Sequence, residues 1–361
     1  MSKRFALFLS FAAAALLIWW NWFTAALPAF PSTKGEAPTA SSSPRPSLPP
    51  RAVMNIDPKF AGRATNDGTA AKRIEHVVSS QLEHYLARKD FPTLLGKLTQ
   101  AADDPEALFL RAQILERCAR ITDANAPRAA PKPVDERRAA FVAGLKADAR
   151  ETAVRLAAYD TVNADPCGDL HLIETSRKEL AELRAKASEM KDAAALARDL
   201  NCEIFGSIDR ANGGRFPEIN DTRFDRIRAA MISRNPIAVR TGVGMLANTY
   251  RNGAFRLGPD GKPVDPNIMA YVANLMACQF GADCSADVLR ACANDGKCNV
   301  NSYEDYLAFY QLSPNDAQLA ERYREWLTQM IDSGNFSQLQ LVQGEQSTDS
   351  VRIGSYFSCT N

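Results

Sequence analysis

The eight cysteines are the residues of this 361-residue chain whose spacing points to definite chemistry. Four of them fall in one stretch, Cys278 to Cys298. It reads C-Q-F-G-A-D-C, then S-A-D-V-L-R-A, then C-A-N-D-G-K-C. Thiols so gathered can bind zinc, stay reduced in a core, or pair as disulfides. Structural zinc sites favour cysteines about two to four residues apart, with histidine often completing the set. Here the intervals hold five, seven and five residues, and no histidine follows His171. An even number of cysteines set among turn residues argues for a disulfide framework in an oxidising compartment.

Four cysteines allow three pairings. Cys278 lies near the end of an apolar helical run, Asn267 to Phe280, and Ser285 can cap the next helix, with Asp287 in its first turn. Cys284 and Cys292 then sit at opposite ends of that helix, about 12 Å apart at the helical rise. A disulfide needs Cα atoms within roughly 7 Å. The spacing therefore favours Cys278–Cys284 with Cys292–Cys298, the alternative being Cys278–Cys292 with Cys284–Cys298. For the outlying cysteines, Cys118 and Cys167 end neighbouring helical segments, so we expect them to pair. That leaves Cys202 with Cys359, and Cys167–Cys202 stands as the rival.

An oxidising compartment requires export, and residues 1–30 supply the signal. Lys3 and Arg4 precede an apolar run from Phe5 to Phe23 interrupted only by Ser10 and Asn21. That run makes about 28 Å of helix, near the thickness of a bilayer core. Trp19, Trp20 and Trp22 stand at its far end, where an aromatic belt lies. An uncleaved anchor through residues 5–23 in a bacterial inner membrane is expected, a cleaved signal peptide being the alternative. The positive flank stays inside, which places the remainder in the periplasm. Residues 31–68 are rich in Ser and Pro and read as a disordered linker.

The folded part is divided by expectation into a region 69–204 and a cysteine-containing region 205–361. Its periodicity is helical nearly throughout, predicting an all-α fold of helix pairs. Asp104-Pro105-Glu106 is a helix start, as are Ser302-Tyr303-Glu304-Asp305 and Ser313-Pro314-Asn315-Asp316. One helix is expected from Asp135 toward Asn163 and another over Ser176 to Leu200. Further helices are expected over Asp221 to Ser233 and Ile237 to Tyr250. Phe205 to Pro217 reads as irregular. Only the tail, Val351 to Phe357, alternates as a strand would.

Ala107 with Leu110 and Leu115 resembles the first helix of a Sel1 or tetratricopeptide repeat, and Trp326 with Gly334 resembles the close of a second. The stretch from Cys278 to about Leu341 resembles the C-terminal region of uncharacterised exported proteins of Proteobacteria. These resemblances imply stacked helix pairs and an envelope location, and they carry no activity.

No catalytic, cofactor or metal motif is present. G-x-S-x-G, G-x-x-x-x-G-K-[ST], H-E-x-x-H and G-x-G-x-x-G are all missing. Ser188-Glu189-Met190-Lys191 fits the S-x-x-K of penicillin-binding proteins, but its companion elements stand in the wrong order and the sheet of that fold is missing. His76 and His84 lie off the apolar stripe of their helix and read as solvated. With 43 basic against 42 acidic residues the chain has no excess for nucleic acid. The expected function is a surface for a protein or peptide partner in the cell envelope. The alternative is a carboxylate-dependent hydrolase of cell-wall or glycan substrates with its cleft near residues 205–220.

Overall fold

A computed structural model describes residues 78–123, 133–208, 216–343, 357 and 359. They belong to a single compact unit that runs from Lys72. The elements are α1 (Ser80–Leu86), α2 (Phe91–Gln100), α3 (Pro105–Cys118), β1 (Arg120–Ile121), α4 (Val134–Gly144) and α5 (Ala149–Val162). A short 3-10 turn (Gly168–Leu172), β2 (Glu174–Thr175), α6 (Arg177–Glu189), α7 (Ala193–Gly206), α8 (Asp221–Ile232) and α9 (Pro236–Met245) follow. The chain continues through β3 (Gly253–Leu257), β4 (Lys262–Pro263), α10 (Pro266–Gln279), α11 (Ser285–Asp295) and α12 (Tyr303–Tyr306). A π-turn (Leu307–Gln311), α13 (Pro314–Ser333) and β5 (Leu339–Gln343) complete it.

One local device starts many of these helices. A short polar residue caps, and proline occupies the first helical position, where its missing N–H costs nothing. Asp104 accepts from the Glu106 N–H, Asn235 from Ile237 and Ala238, and Asp265 from Asn267 and Ile268. Ser313 accepts from Asp316 in the same way. Each such cap contributes about 1 kcal/mol. Gly296 and Gly334 close α11 and α13 with φ of 70° and 69°, a left-handed conformation that favours glycine.

Two expected long helices are each broken in two. The stretch from Asp135 toward Asn163 divides because the backbone turns extended at Leu145, ending α4, and Asp148 then caps α5 by accepting from the Glu151 N–H. Asp135 lies in the first turn of α4, which begins after Pro133. The stretch Ser176 to Leu200 divides at Lys191, whose φ of 67° reverses the chain before Asp192 caps α7. Helix α7 then runs through Cys202 to Gly206, across the expected 204/205 boundary and into the stretch read as irregular. The helix expected to reach Tyr250 ends at Met245.

The sheet was also underestimated. β3 forms the centre of an antiparallel sheet ordered β4-β3-β5, with Phe255 opposite Leu341 and Leu257 opposite Leu339. Its side chains alternate buried and half-buried, a period of two carried by only five residues and therefore faint in the sequence. β1 and β2 add a two-residue parallel pair. Of the strand expected over Val351 to Phe357, only Phe357 is among the described residues.

The larger apolar core gathers Leu200 through Leu339, with Tyr250, Phe255, Met269, Val272 and Leu327 at its centre. The second joins Leu82, Phe91, Phe109, Ile114 and Leu180. Helix α3 packs on α6, and α5 packs on α11, far along the chain. A repeat stack, in which each unit touches only its neighbours, is not evident in that order.

Candidate functional site

All eight cysteines are paired. Cys118, the last residue of α3, joins Cys167 ahead of the 3-10 turn, with Cα atoms 5.4 Å apart. Cys202 on α7 joins Cys359 at 5.2 Å. Cys278 in the last turn of α10 joins Cys284 at 5.7 Å, and Cys292 joins Cys298 at 4.3 Å around the glycine that ends α11. No free thiol is left, so the chain presents no thiolate to a metal or substrate. Among the described residues no three or more His, Cys, Asp or Glu side chains gather as a metal site. Cys284, not Ser285, occupies the cap position of α11, because Asp283 already accepts from the Ser285 N–H at 3.0 Å.

The first of these brackets borders a cleft. A cavity of about 300 Å3 opens between α1, α2 and α3 on one side and α9, α10 and α11 on the other. Tyr85 and Leu86 of α1, Phe91 of α2 and Phe109 of α3 give it an apolar wall, joined by Ile237 of α9 and by Phe357. Tyr85 stacks on Phe91 with ring centres 5.8 Å apart, and Phe357 meets Phe109 edge-on at 6.5 Å.

The polar lining is mostly basic. Arg88, Arg117, Arg240 and Arg290 face Asp283 and Asp287. Arg290 is paired with Asp287 one turn before it on α11. Arg88 and Arg117 give their guanidiniums to no carboxylate among the described residues, and Arg117 lies over the Phe91 ring at 5.8 Å. Partial burial pushes the Arg88 guanidinium below its ordinary pKa, and the neighbouring charges of Arg117 and Arg290 push it further. Burial likewise raises the Tyr85 phenol, although Arg117 and Arg88 pull it back. Also in the lining, Gln113 Nε2 is buried without a hydrogen-bond partner among the described residues. Such a donor costs about 1–3 kcal/mol when left unmet.

The loop that presents Arg88 is strained. Arg88 and Asp90 both sit in the left-handed region, with φ of 52° and 43°. Non-glycine residues there cost of order 1–3 kcal/mol each and persist where the surroundings over-determine them. The Phe91 N–H, bonded to the Pro166 carbonyl at 2.9 Å, and the Asp90 cap on Thr93 hold this loop in place.

Other sequence features lie elsewhere and are tied up. The Ser188 hydroxyl donates to Asp199 at 2.6 Å rather than to a lysine. Just before the stretch proposed for a hydrolytic cleft, Glu203 of α7 accepts from Arg223 at 2.8 Å and from Arg226 at 2.5 Å. Burial alone would raise its pKa, but these two guanidiniums hold it below the usual carboxylate range. A carboxylate so clamped ties α7 to α8 and is a poor general acid. His84 stands on α1, and His76 lies outside the described residues.

The cleft residues escaped the sequence reading because Arg88, Gln113, Arg117, Arg240 and Arg290 stand far apart along the chain with no local motif. The Arg88–Asp90 turn before a proline-containing helix start was the single visible trace. Comparison of the chain with protein-family models, curated proteins and solved structures finds no match.

Proposed function

We propose that this chain is an exported binding protein of the cell envelope, anchored in the inner membrane through residues 5–23, whose helical part receives a protein or peptide segment in the periplasm. Four disulfides and no free thiol support an oxidising, extracytoplasmic compartment. Among the described residues no helix is long and apolar enough to cross a membrane, so anchoring rests on the N-terminal apolar run. The observation that carries the binding reading is the cleft between α1–α3 and α9–α11, which combines apolar walls with convergent polar groups.

The test joins location to cleft. A C-terminal reporter that works only outside the cytoplasm is expected to be active, and activity of a cytoplasm-only reporter defeats export. In the native membrane, a photocrosslinker at the cleft rim should capture a discrete partner. Ala286 of α11 also lines the cleft, and Ala286→Trp, which narrows it, should abolish that capture while leaving the helical circular dichroism spectrum unchanged. Equal capture by this variant defeats the cleft assignment.

A further inference from the structure

We infer that the cleft between α1–α3 and α9–α11 binds the free C-terminal carboxylate of a peptide whose last side chain is apolar, with Arg88 and Arg117 holding the carboxylate. This inference rests on the peptide-binding reading above and names the group recognised. Three features of the lining carry it.

The first is charge. Four arginines against two aspartates make the cleft an anion site, and one aspartate is already spent on Arg290. Arg88 and Arg117 line the cleft and make no ion pair with a carboxylate among the described residues. Guanidiniums bind carboxylates through paired N–H donors, and like charges lining one cleft are stabilised by an anion between them. Gln113 Nε2 adds a buried donor with no partner inside the chain.

The second feature is apolar surface. Tyr85, Leu86, Ile237 and Phe357 stand beside these donors. Inorganic phosphate would gain nothing from them, whereas an organic acid with an apolar body buries area against them. Asp283, which also lines the cleft, disfavours a dianion and tolerates a ligand with a single negative charge and peptide N–H groups.

The third feature is size. About 300 Å3 lies at the small end of ligand pockets, which run about 300–1,000 Å3. It accommodates one terminal residue with its carboxylate and excludes a folded surface. The strained Arg88 loop agrees with a group set in place before the ligand arrives.

The test uses the full-length oxidised protein and four probes: the peptide Ala-Ala-Ala-Phe as free acid, the same peptide as C-terminal amide, 3-phenylpropionate, and inorganic phosphate. Calorimetry and thermal shift are read together. The free acid should bind and raise the melting temperature, and the amide should bind at least tenfold more weakly. Phosphate should produce no shift. Arg88→Ala with Arg117→Ala should lose at least tenfold in affinity for the free acid, and Arg88→Lys with Arg117→Lys should recover part of it. Both positions are solvent-exposed, so these variants are expected to keep the wild-type circular dichroism spectrum. Equal binding of acid and amide, undiminished binding by the alanine pair, or tighter binding of phosphate would each overturn the inference. Stronger binding of 3-phenylpropionate than of the peptide acid would reassign the site to a small aromatic acid and overturn it as well. If no probe binds while the rim crosslinker still captures a partner, the carboxylate inference fails and the peptide-binding reading survives.

Discussion

Two helix pairs in this molecule are built on opposite terms. In the pair α9–α10, eight of the ten residues of α9 are buried, and α10 buries Ile268, Met269, Val272, Ala273, Leu275, Met276 and Ala277. In the pair α4–α5, α4 buries none of its residues and α5 buries only Ala158. Both are helical in sequence. Packing separates them: a helix apolar on nearly every face must be inside, and a mixed helix lies on the surface. Gly242 shows how closely α9 is held, since a Cβ there would meet Met231 at 3.0 Å and the Ile227 carbonyl at 3.1 Å. The hairpin α4–α5 depends instead on a few directed contacts. Phe141 stacks on Tyr159 with ring centres 4.1 Å apart, and Arg138 forks onto Asp160 at 2.9 and 3.1 Å. Arg155 reaches across to the Ala293 and Asn294 carbonyls at the end of α11, at 2.9 and 2.7 Å. The lesson is that fold stability resides around α9–α10, and the hairpin is a dependent layer tied on through α11.

The sharpest way to break the comparison is in the deep core. Tyr250 is fully buried, donates to the Met245 carbonyl at 2.8 Å and meets Phe255 edge-on. Tyr250→Ala is expected to cost about 3–5 kcal/mol, the range for emptying a large aromatic site. Urea denaturation measures it, and a loss under 1 kcal/mol would mean that this core is not where stability lies.

The next effect is a titration. Burial raises the Asp192 carboxyl to about 6, with Glu106 and Asp104 adding repulsion against its bonds to the Ala195 and Ala194 N–H groups. A carboxyl with a raised folded pKa keeps its proton where the unfolded chain, at about 3.9, has lost it. Stability therefore falls as pH rises between roughly 4 and 6 and stays lowered above that. Asp192→Asn keeps a cap acceptor without charge. It should match the wild type near pH 4 and exceed it by about 2 kcal/mol at pH 8. A variant less stable at both pH values would show that the ionised carboxylate is wanted.

A smaller loss is expected at the bracket beneath the hairpin. Cys292→Ser with Cys298→Ser opens a loop with a sequence separation of 6, worth about 2 kcal/mol in the chain-entropy account. Hydrogen exchange should quicken in α11 and in α4–α5 while α9–α10 stay protected. Uniform loss of protection would erase the distinction between the two pairs. Smallest of all, Val154→Ala on α5, at 47 % exposure, should change stability by less than about 0.5 kcal/mol.

Much of the scaffold was legible because its signals are local. The caps at Asp104, Ser302 and Ser313 can each be read within four residues, and the brackets at Cys278 and Cys292 within seven. The breaks before Asp148 and at Lys191 were missed because a few residues leaving the helical region change the path without changing the apolar period. β3 was missed because its partner β5 lies some eighty residues on, and pairing over that distance leaves no mark on either segment. The cleft was missed for the same reason in stronger form. Arg88, Arg117 and Arg290 become neighbours only after α1, α3 and α11 have packed, so each reads singly as a solvated charge.

The bridge from Cys202 to Cys359 spans a sequence separation of 157 and encloses both C-terminal brackets. A chain that crosses a membrane from its N-terminus offers its thiols one after another. An oxidant pairing them in order of arrival would join Cys118 to Cys167 correctly. It would then join Cys202 to Cys278, Cys284 to Cys292 and Cys298 to Cys359, none of which is a native pair. Reaching the native set requires exchange through mixed disulfides, in which a free thiolate attacks a wrong bridge and is released when the right one closes. Maturation of this protein should therefore depend on a disulfide isomerase. Cells lacking one should accumulate chains in which Cys118–Cys167 is intact and Cys202 is linked to Cys278.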